Sequence, residues 1–334
     1  MFIYSEEHKE NEHGYYSCPW IEHGLVFFNK KLSMCCHCGH STNEHITIVE
    51  NINNENFNID KVFEFKNIFR ENHKSGKIHE NCINCNYLKR NIWDNTNYID
   101  ILYISHWIQC NSNCIYCYER QHSEEFNQKV PYKVLPIIKE FHEKDLLRAG
   151  GDISFGGGEP AVLDEFEYIL NYLLDNYYID NLIHTSGIKY SKAMARGLEE
   201  TAAHVIVSLD AGTKETYEKI KRVPCFEKVV DNLTKYALKT TYKGRFHIRA
   251  KYIIIPGIND NRKEIDAYFK VIKNAGLYVA TFDIEENWFL ANRNNIPKEF
   301  EDLIDYIYKK GKKENIRIDE YERLQNYIAD RNKE

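Results

Sequence analysis

Short apolar runs alternate with amphipathic stretches between about residue 98 and residue 290. This alternation is typical of βα units that surround a parallel sheet. Each run is followed by a stretch with helical periodicity, as in Phe166, Ile169, Leu170 and Leu173. Six units leave a barrel open on one side, so the predicted fold class is α/β, a partial (βα)6 TIM-like barrel. The predicted strands are 99–105, 152–155, 181–186, 204–209, 246–255 and 278–284.

Residues 1 to 96 have a different pattern, with scattered cysteines, histidines and asparagines and little periodicity. We predict an irregular, cysteine-rich metal-cluster domain over 1–96 and place its boundary near Asn95, where polar residues precede the first predicted strand. The second predicted domain, 97–334, comprises the partial barrel and two C-terminal helices. One of these helices has Phe300 and Leu303 on its apolar face, and the other begins near Asp319.

Composition narrows the class of protein. The chain has 334 residues, 43% of them hydrophobic, which is enough to bury a sizeable core. A net charge of -6 gives no electrostatic reason to expect nucleic acid or anionic lipid as a partner. No apolar stretch approaches the ~20 residues of a membrane span, and the N-terminus turns acidic at Glu6 and Glu7 without an apolar segment. We therefore expect a cytoplasmic protein.

The cysteines are concentrated at one end of the chain. Nine of the ten precede residue 118, and Cys225 alone follows. In a chain with no secretory signal, thiolate ligation of metal is a better interpretation than disulfide pairing.

The strongest motif is Cys110-Asn-Ser-Asn-Cys114-Ile-Tyr-Cys117, directly after the first strand of the βα series. Three thiolates on one loop can bind three irons of a [4Fe-4S] cube and leave the fourth iron open to a small molecule. A closed zinc site is the alternative, but it needs a fourth ligand and usually uses two-residue gaps.

With this spacing and an aromatic, Tyr116, before the last cysteine, the sequence resembles the radical S-adenosylmethionine superfamily. A second element agrees, because Phe155-Gly156-Gly157-Gly158-Glu159-Pro160 ends the second strand, where that family binds the methionine part of its cofactor. The resemblance implies that Tyr116, Gly157, Gly158 and Glu159 are cofactor-binding residues.

Two weaker matches follow along the chain. Ser208 and Asp210, at the end of the fourth strand, resemble the position that contacts the cofactor ribose or carboxylate, and Lys251 on the fifth could pair with that carboxylate. Ordinary packing and turn chemistry remain alternatives for these residues. The resemblance implies that the cluster, reduced by a donor such as flavodoxin or ferredoxin, cleaves S-adenosylmethionine to a 5'-deoxyadenosyl radical that removes a hydrogen atom from a substrate.

Four N-terminal cysteines are candidates for a second site. Cys18, Cys35, Cys82 and Cys85 resemble the SPASM and Twitch modules that hold an auxiliary [4Fe-4S] cluster, although those modules usually follow the barrel. Cys35 to Cys38 together with Cys82 to Cys85 form two CxxC pairs, so a zinc site is the alternative.

Cys225 is the lone thiol of the predicted barrel, and some radical epimerases use one cysteine to return a hydrogen atom to the substrate radical. A buried free cysteine that acts as a small hydrophobe is the alternative. Our leading functional hypothesis is a maturase that oxidises, cross-links or epimerises a peptide. The alternatives are a dehydrogenase or epimerase of a small molecule such as a sugar or nucleoside, a glycyl-radical activase, and a non-catalytic metal-binding scaffold.

Overall fold

The computed structural model of the chain describes residues 14–35, 46–83, 85, 87–122, 132–176, 178, 180–240, 244–293 and 295–331. The strands within these ranges are β1 (Tyr15–Ser17), β2 (Gly24–Phe27), β3 (Lys31–Ser33), β4 (Thr47–Glu50), β5 (Lys89–Asn91), β6 (Ile99–Ile104), β7 (Leu147–Phe155), β8 (Asp180–Thr185), β9 (Ala203–Ser208), β10 (Ile248–Ile254), β11 (Val279–Ile284) and β12 (Arg317–Glu320). The α-helices are α1 (Pro19–His23), α2 (Ile59–Lys74), α3 (Tyr118–His122), α4 (Leu135–Glu143), α5 (Phe166–Asp175), α6 (Lys192–Glu199), α7 (Lys214–Lys221), α8 (Phe226–Lys239), α9 (Arg262–Asn274), α10 (Glu286–Asn292), α11 (Lys298–Glu314) and α12 (Glu322–Arg331).

These elements form two compact units. Unit 1 takes its described residues from Met1–Gln109, Asn127–Gly158 and Tyr168–Asn181. Unit 2 takes its residues from Cys110–Phe126, Glu159–Glu167 and Leu182–Glu334.

The sheet of unit 1 joins the N-terminal segment to the first strands of the predicted barrel. Its strand order is β4-β3-β2-β6-β7. β2 runs parallel to β6, with Leu25 opposite Leu102, and β6 runs parallel to β7. β3 pairs antiparallel with both β2 and β4. The side chains of β2, such as Leu25, Val26 and Phe27, are fully buried, which is expected for a strand in the interior of a sheet.

Helix α2 is the long helix of the N-terminal segment. Its first turn is capped by Asn58, whose side chain accepts a hydrogen bond of 3.0 Å from Lys61 N. The buried stripe contains apolar residues such as Val62 and Phe69 but also the charged residues Lys66 and Arg70. Charged side chains are almost never fully buried without a partner, so Lys66 and Arg70 must have polar partners in the interior.

In unit 2, β9 to β12 lie side by side and all run parallel. On one face, Val207, Ala250, Ala280 and Ile318 are neighbours in register, which gives an apolar surface for the helices. Aromatic rings fill this layer, since Tyr268 of α9 packs on Phe282 of β11 with ring centroids 5.6 Å apart. The opposite face is polar, and its residues are described with the site.

The α/β class with parallel strands is confirmed, and the six predicted strands are present as β6 to β11 with ends shifted by at most five residues. The C-terminal prediction of two helices was incomplete, because β12 lies between α11 and α12 and extends the parallel sheet beside β11. The predicted boundary near Asn95 does not coincide with a limit of either unit, since β2 pairs with β6. The assignment of 1–96 and 97–334 to separate domains stays a prediction. No helix in the described part of the chain is both long and apolar enough to cross a membrane.

Candidate active site

The loop with Cys110, Cys114 and Cys117 lies in unit 2, and all three thiols are half-buried. Two backbone hydrogen bonds fasten it to the end of α7. Asn113 N donates to Lys221 O at 2.9 Å, and Ile115 N donates to Ile220 O at 3.0 Å. The loop therefore has a defined conformation set by α7, although the cysteines and this helix are about a hundred residues apart in sequence.

Side chains reinforce this attachment. Tyr116 donates its hydroxyl hydrogen to Asp210 Oδ2, and Lys221 Nζ contacts the same oxygen and lies 2.7 Å from Tyr116 Oη. The other oxygen, Asp210 Oδ1, accepts a 2.8 Å hydrogen bond from Ile253 N. Asp210 has a φ of 57°, in the left-handed region that Asp tolerates better than most residues. Both carboxylate oxygens are therefore engaged within the protein, and the predicted role of Asp210 in cofactor binding stays a prediction.

The donor set of the loop fits an iron-sulfur cluster. Burial raises the pKa of Cys110 to about 12, the hydrogen bond from Ser112 lowers it, and nearby Glu159, Cys114 and Cys117 raise it further. Thiols in this environment prefer to stay protonated unless a metal stabilises the thiolate. Three thiols that influence one another in this way suit a cube with one iron left open.

Glu159 is fully buried at the start of a 3-10 turn. Its Oε1 accepts hydrogen bonds from Ala161 N at 3.0 Å and from Thr185 Oγ1 at 2.7 Å, and its Oε2 accepts one of 2.5 Å from Ser186 N. Ser186 in turn donates from Oγ to Asn111 Oδ1 at 2.9 Å. Glu159 thus connects the end of β8 with the turn after β7, and Asn111 brings the cysteine loop into the same network.

The predicted glycines, Gly157 and Gly158, lie in unit 1 and are required by close backbone approach. A Cβ on Gly158 would come within 2.1 Å of Gln109 O, and one on Gly157 within 2.5 Å of Trp107 O. Gly157 also has a φ of 81°, which favours glycine. Gly158 N donates to Trp107 O at 2.9 Å. These glycines therefore allow the turn to pack closely against the segment that precedes Cys110.

Polar residues occupy the second face of the unit 2 sheet. Lys251 is in register with Ser208 on one side and Thr281 on the other, and Thr281 is in register with Asp319. Lys251 Nζ lies 3.8 Å from Asp283 Oδ2 and 4.0 Å from the ring centroid of Tyr321. Burial lowers the pKa of Lys251, against the effect of Asp283. A buried parallel strand is normally apolar on both faces, so this face is built for polar contacts.

Cys225 is half-buried at the start of α8. It lies near Tyr217 of α7, whose pKa is raised chiefly by burial, with Cys225 and Cys114 adding to the shift against Lys221. The Tyr217 hydroxyl is buried and has no hydrogen-bond partner among the described residues. The catalytic role of Cys225 stays a prediction.

The N-terminal cysteines converge in unit 1. Cys18, Cys35 and Cys82 are buried and Cys85 is half-buried. All four line the same cavity. The remaining lining residues are Trp20, Ile21, Ile46, Tyr87 and Leu88.

The local backbone explains how these thiols are presented. Cys18 caps α1 by accepting a 3.5 Å hydrogen bond from Ile21 N. Cys85 N donates to Cys82 O at 3.0 Å, so the pair lies on one turn. Burial raises the pKa of Cys18 to about 12, and Cys85 raises it too. Among the described residues, no three His, Cys, Asp or Glu side chains are grouped as ligands of a single metal ion. A cube binds each thiolate through a different iron, which spaces the thiolates more widely.

The sequence did not point to several partners of these residues. Lys221 is one of several lysines on α7, and Thr185 and Ser186 follow an ordinary strand pattern. Asn259 follows β10, the strand of Lys251, and its role was not predicted. It donates from Nδ2 to Asp210 O at 2.9 Å and accepts from Ile255 N at 2.6 Å, which ties the end of β10 to Asp210.

Comparisons with known proteins identify the family. The family described as "Radical SAM superfamily" matches residues 104–270. GTP 3',8-cyclase of Helicobacter pylori is 26% identical over 219 residues, covering 63% of this chain and 64% of that protein. GTP 3',8-cyclase of Aliarcobacter butzleri is 26% identical over 200 residues, covering 57% of each chain. The chain thus spans less than two thirds of the length of these relatives.

A likeness to a solved structure concerns the fold alone. Streptococcus suis SuiB bound to the precursor peptide SuiA superposes with a TM-score of 0.50 and 13% identity. The match covers 81% of this chain and 69% of that one.

Proposed function

This chain belongs to the radical SAM superfamily, and from that premise we propose that it is an enzyme that removes a hydrogen atom from a small polar molecule of the sugar or nucleotide class. The family implies a [4Fe-4S] cluster and S-adenosylmethionine, which supply the hydrogen-abstracting radical when bound. Cys110, Cys114 and Cys117 would hold the cluster. The chain's own contribution is to fix this loop through Asp210 and Lys221, and to orient a substrate.

The polar face of the unit 2 sheet is the observation that supports this substrate class. Ser208, Lys251, Thr281 and Asp319 are neighbours in register across four strands, where apolar residues are the norm. The hydroxyls of Ser208 and Thr281 and the amino group of Lys251 can hydrogen-bond the hydroxyls and phosphates of such a molecule. Both oxygens of Asp319 are held by Arg249 and Arg317. The curated relatives are named for a reaction of GTP, which belongs to the same class.

A peptide is the second candidate substrate. It was the leading hypothesis from the sequence. The SuiB structure that shares the fold is described as bound to a precursor peptide. That likeness concerns the fold, so we rank the peptide below the small polar molecule.

The test measures 5'-deoxyadenosine formed anaerobically by the reduced, reconstituted protein. We expect Cys110→Ala to abolish its formation. In a panel of nucleotides, sugars and peptides, a nucleotide or sugar should accelerate it, and Lys251→Met should reduce that acceleration more than Lys270→Met, an exposed lysine of α9. Stimulation by peptides alone would refute the substrate class. Mass spectrometry in deuterated water then shows whether the product has lost hydrogen or gained solvent deuterium.

We also propose that Cys18, Cys35, Cys82 and Cys85 hold an auxiliary [4Fe-4S] cluster. The support is that these four cysteines, and no other described cysteine, line one cavity of unit 1. The zinc alternative uses Cys38, which lies outside the described residues. The apolar walls of the cavity would exclude water from a cluster, which tunes its reduction potential.

The full chain with Cys110, Cys114 and Cys117 all replaced by alanine tests this second site. After anaerobic reconstitution we expect about four iron and four sulfide per chain, as one cube requires. Adding Cys82→Ala and Cys85→Ala should remove both the iron and the sulfide. Zinc bound without acid-labile sulfide would refute the iron-sulfur proposal.

For Cys225 we propose the hydrogen-returning role that the sequence suggested. The support is that Phe226, the residue after Cys225, packs against Tyr217 of α7 with ring centroids 5.6 Å apart, and that the same helix binds the cluster loop through Lys221 O. Cys225→Ala should leave 5'-deoxyadenosine formation intact and change the stereochemistry or yield of the product. Unchanged product and turnover would eliminate this role.

A further inference from the structure

Lys66 is a lysine buried in the middle of α2, with none of its surface exposed. Its Nζ donates to two backbone oxygens of the segment that follows Cys18, Gly24 O at 2.9 Å and Trp20 O at 3.3 Å. No described carboxylate lies within 4 Å of Nζ, so the ammonium is held by carbonyl dipoles and not by an ion pair. Such a group is costly to bury unless a negative charge lies nearby.

Two fully buried charges of opposite sign, Arg70 and Glu22, lie near Lys66, and the half-buried Asp100 also interacts with it. Arg70 NH1 lies 3.6 Å from Glu22 Oε2, and both side chains are buried. Glu22 is thus matched by Arg70, and Lys66 adds one further positive charge to this interior. Burial and Arg70 lower the pKa of Lys66 to about 7, whereas Glu22, Cys18 and Cys35 favour its charged form. The groups that favour the charge thus include two of the cysteines that line the cavity.

We propose that Lys66 is a positioning residue whose ammonium compensates the charge of the auxiliary cluster and raises its reduction potential. This inference rests on the proposed auxiliary site. A cube held by four thiolates is an anion, and it becomes more negative on reduction. A fixed positive charge in a low-dielectric interior stabilises the reduced form more than the oxidised form, because the attraction grows with the charge of the cluster. Lys66 also donates a hydrogen bond to the backbone of α1. Because α1 directly follows Cys18, this bond helps to fix the position of that cysteine.

The experiment measures the midpoint potential of the auxiliary cluster alone, in the full chain with Cys110, Cys114 and Cys117 replaced by alanine. Lys66→Met removes the charge and keeps much of the volume. Lys66→Arg keeps the charge. Lys61→Met is the matched control, since Lys61 lies on the same helix and is exposed. Potentials are read by anaerobic titration followed by electron paramagnetic resonance.

We expect the midpoint to move to more negative values in Lys66→Met and to stay near the parent value in Lys66→Arg and Lys61→Met. A midpoint that is equal in Lys66→Met and Lys61→Met, with full iron and sulfide in both, would overturn the role of Lys66 and leave the auxiliary cluster standing. Absence of a cluster from the parent itself would overturn the auxiliary site. If Lys66→Met fails to assemble a cluster, assembly in Lys66→Arg supports charge compensation, and failure there too rejects it.

Discussion

Lys221 forms a buried ion pair with Asp210, and the backbone oxygen of the same lysine accepts a hydrogen bond from the loop between Cys110 and Cys114. Helix α7 therefore holds the cysteine loop both through its backbone and through this pair. The pKa of Lys221 is raised well above its usual value, since Asp210, Cys114 and Tyr116 outweigh the burial that lowers it. The lysine stays charged, and the pair is a structural element of the site.

Replacing Lys221 by methionine should leave Asp210 as a buried, uncompensated carboxylate. Removing one member of a buried pair costs about 3–5 kcal/mol of stability. We expect the free energy of unfolding of the cluster-free protein, measured with urea, to fall by this amount. We also expect a lower iron content after reconstitution. Lys219→Met, on the same helix but exposed, should change neither quantity.

A double variant distinguishes the loss of the Asp210–Lys221 ion pair from a general loss of stability. Asp210→Asn tolerates the same left-handed backbone, and with Lys221→Met it removes both charges. The double variant should lose less stability than the sum of the two single variants. Additive losses would mean that the two side chains act independently.

Gly158→Ala should disturb the cluster loop without touching a cysteine. A Cβ at this position would lie 2.1 Å from Gln109 O, so the segment just before Cys110 must shift. We expect iron bound at the three-cysteine loop to fall at least several-fold, measured in a background that lacks Cys82 and Cys85. Gly76→Ala is the control for a glycine with positive φ and free space around it, and it should bind iron normally. Equal iron in both variants would show that the close approach does not matter.

Much of the fold could be predicted, because buried parallel strands require apolar runs and the helices between them require apolar stripes. β12 was missed for the same reason. Its sequence, Arg317-Ile-Asp-Glu320, is short and mostly polar, and it becomes a strand only because β11 offers a partner edge. The parallel pairing of β2 with β6 was equally invisible, since it joins residues more than seventy positions apart.

The site was predictable only as far as residue type reveals chemistry. Seven cysteines were selected because thiols at those spacings are unusual, and four of them line one cavity. Lys66 and Lys221 could not be distinguished from exposed lysines on their helices, since burial depends on the tertiary packing of α2 and α7. Asp210 was predicted to contact the cofactor, and this role stays a prediction, because both of its carboxylate oxygens face partners within the protein.

Thr185→Val should weaken the network around Glu159 while keeping the shape of the side chain. The hydroxyl donates to Glu159 Oε1 at 2.7 Å and accepts from Gly187 N at 3.0 Å. Hydrogen bonds to a charged group are worth about 1.5–3 kcal/mol, so we expect a loss of this order in the free energy of unfolding. Thr234→Val, which removes a hydroxyl that bonds only its own helix, should cost clearly less. Equal losses would argue against a special role for the Glu159 network.

Stability should fall in acid because of His23, which stacks on Tyr98 with ring centroids 3.8 Å apart while Arg148 covers the same tyrosine ring at 3.3 Å. Burial and Lys66 lower the pKa of His23 to about 4, against the Tyr98 backbone and Asp94. The unfolded chain takes up the proton near pH 6.5, so the stabilisation is complete above that value and is lost as the pH falls towards 4. His23→Phe keeps a stacked ring that cannot be protonated. Urea unfolding of the cluster-free protein at pH 8 and pH 5 should therefore show a smaller loss between the two values in this variant than in the wild type, and an equal loss in both proteins would exclude His23 as a source of the acid sensitivity.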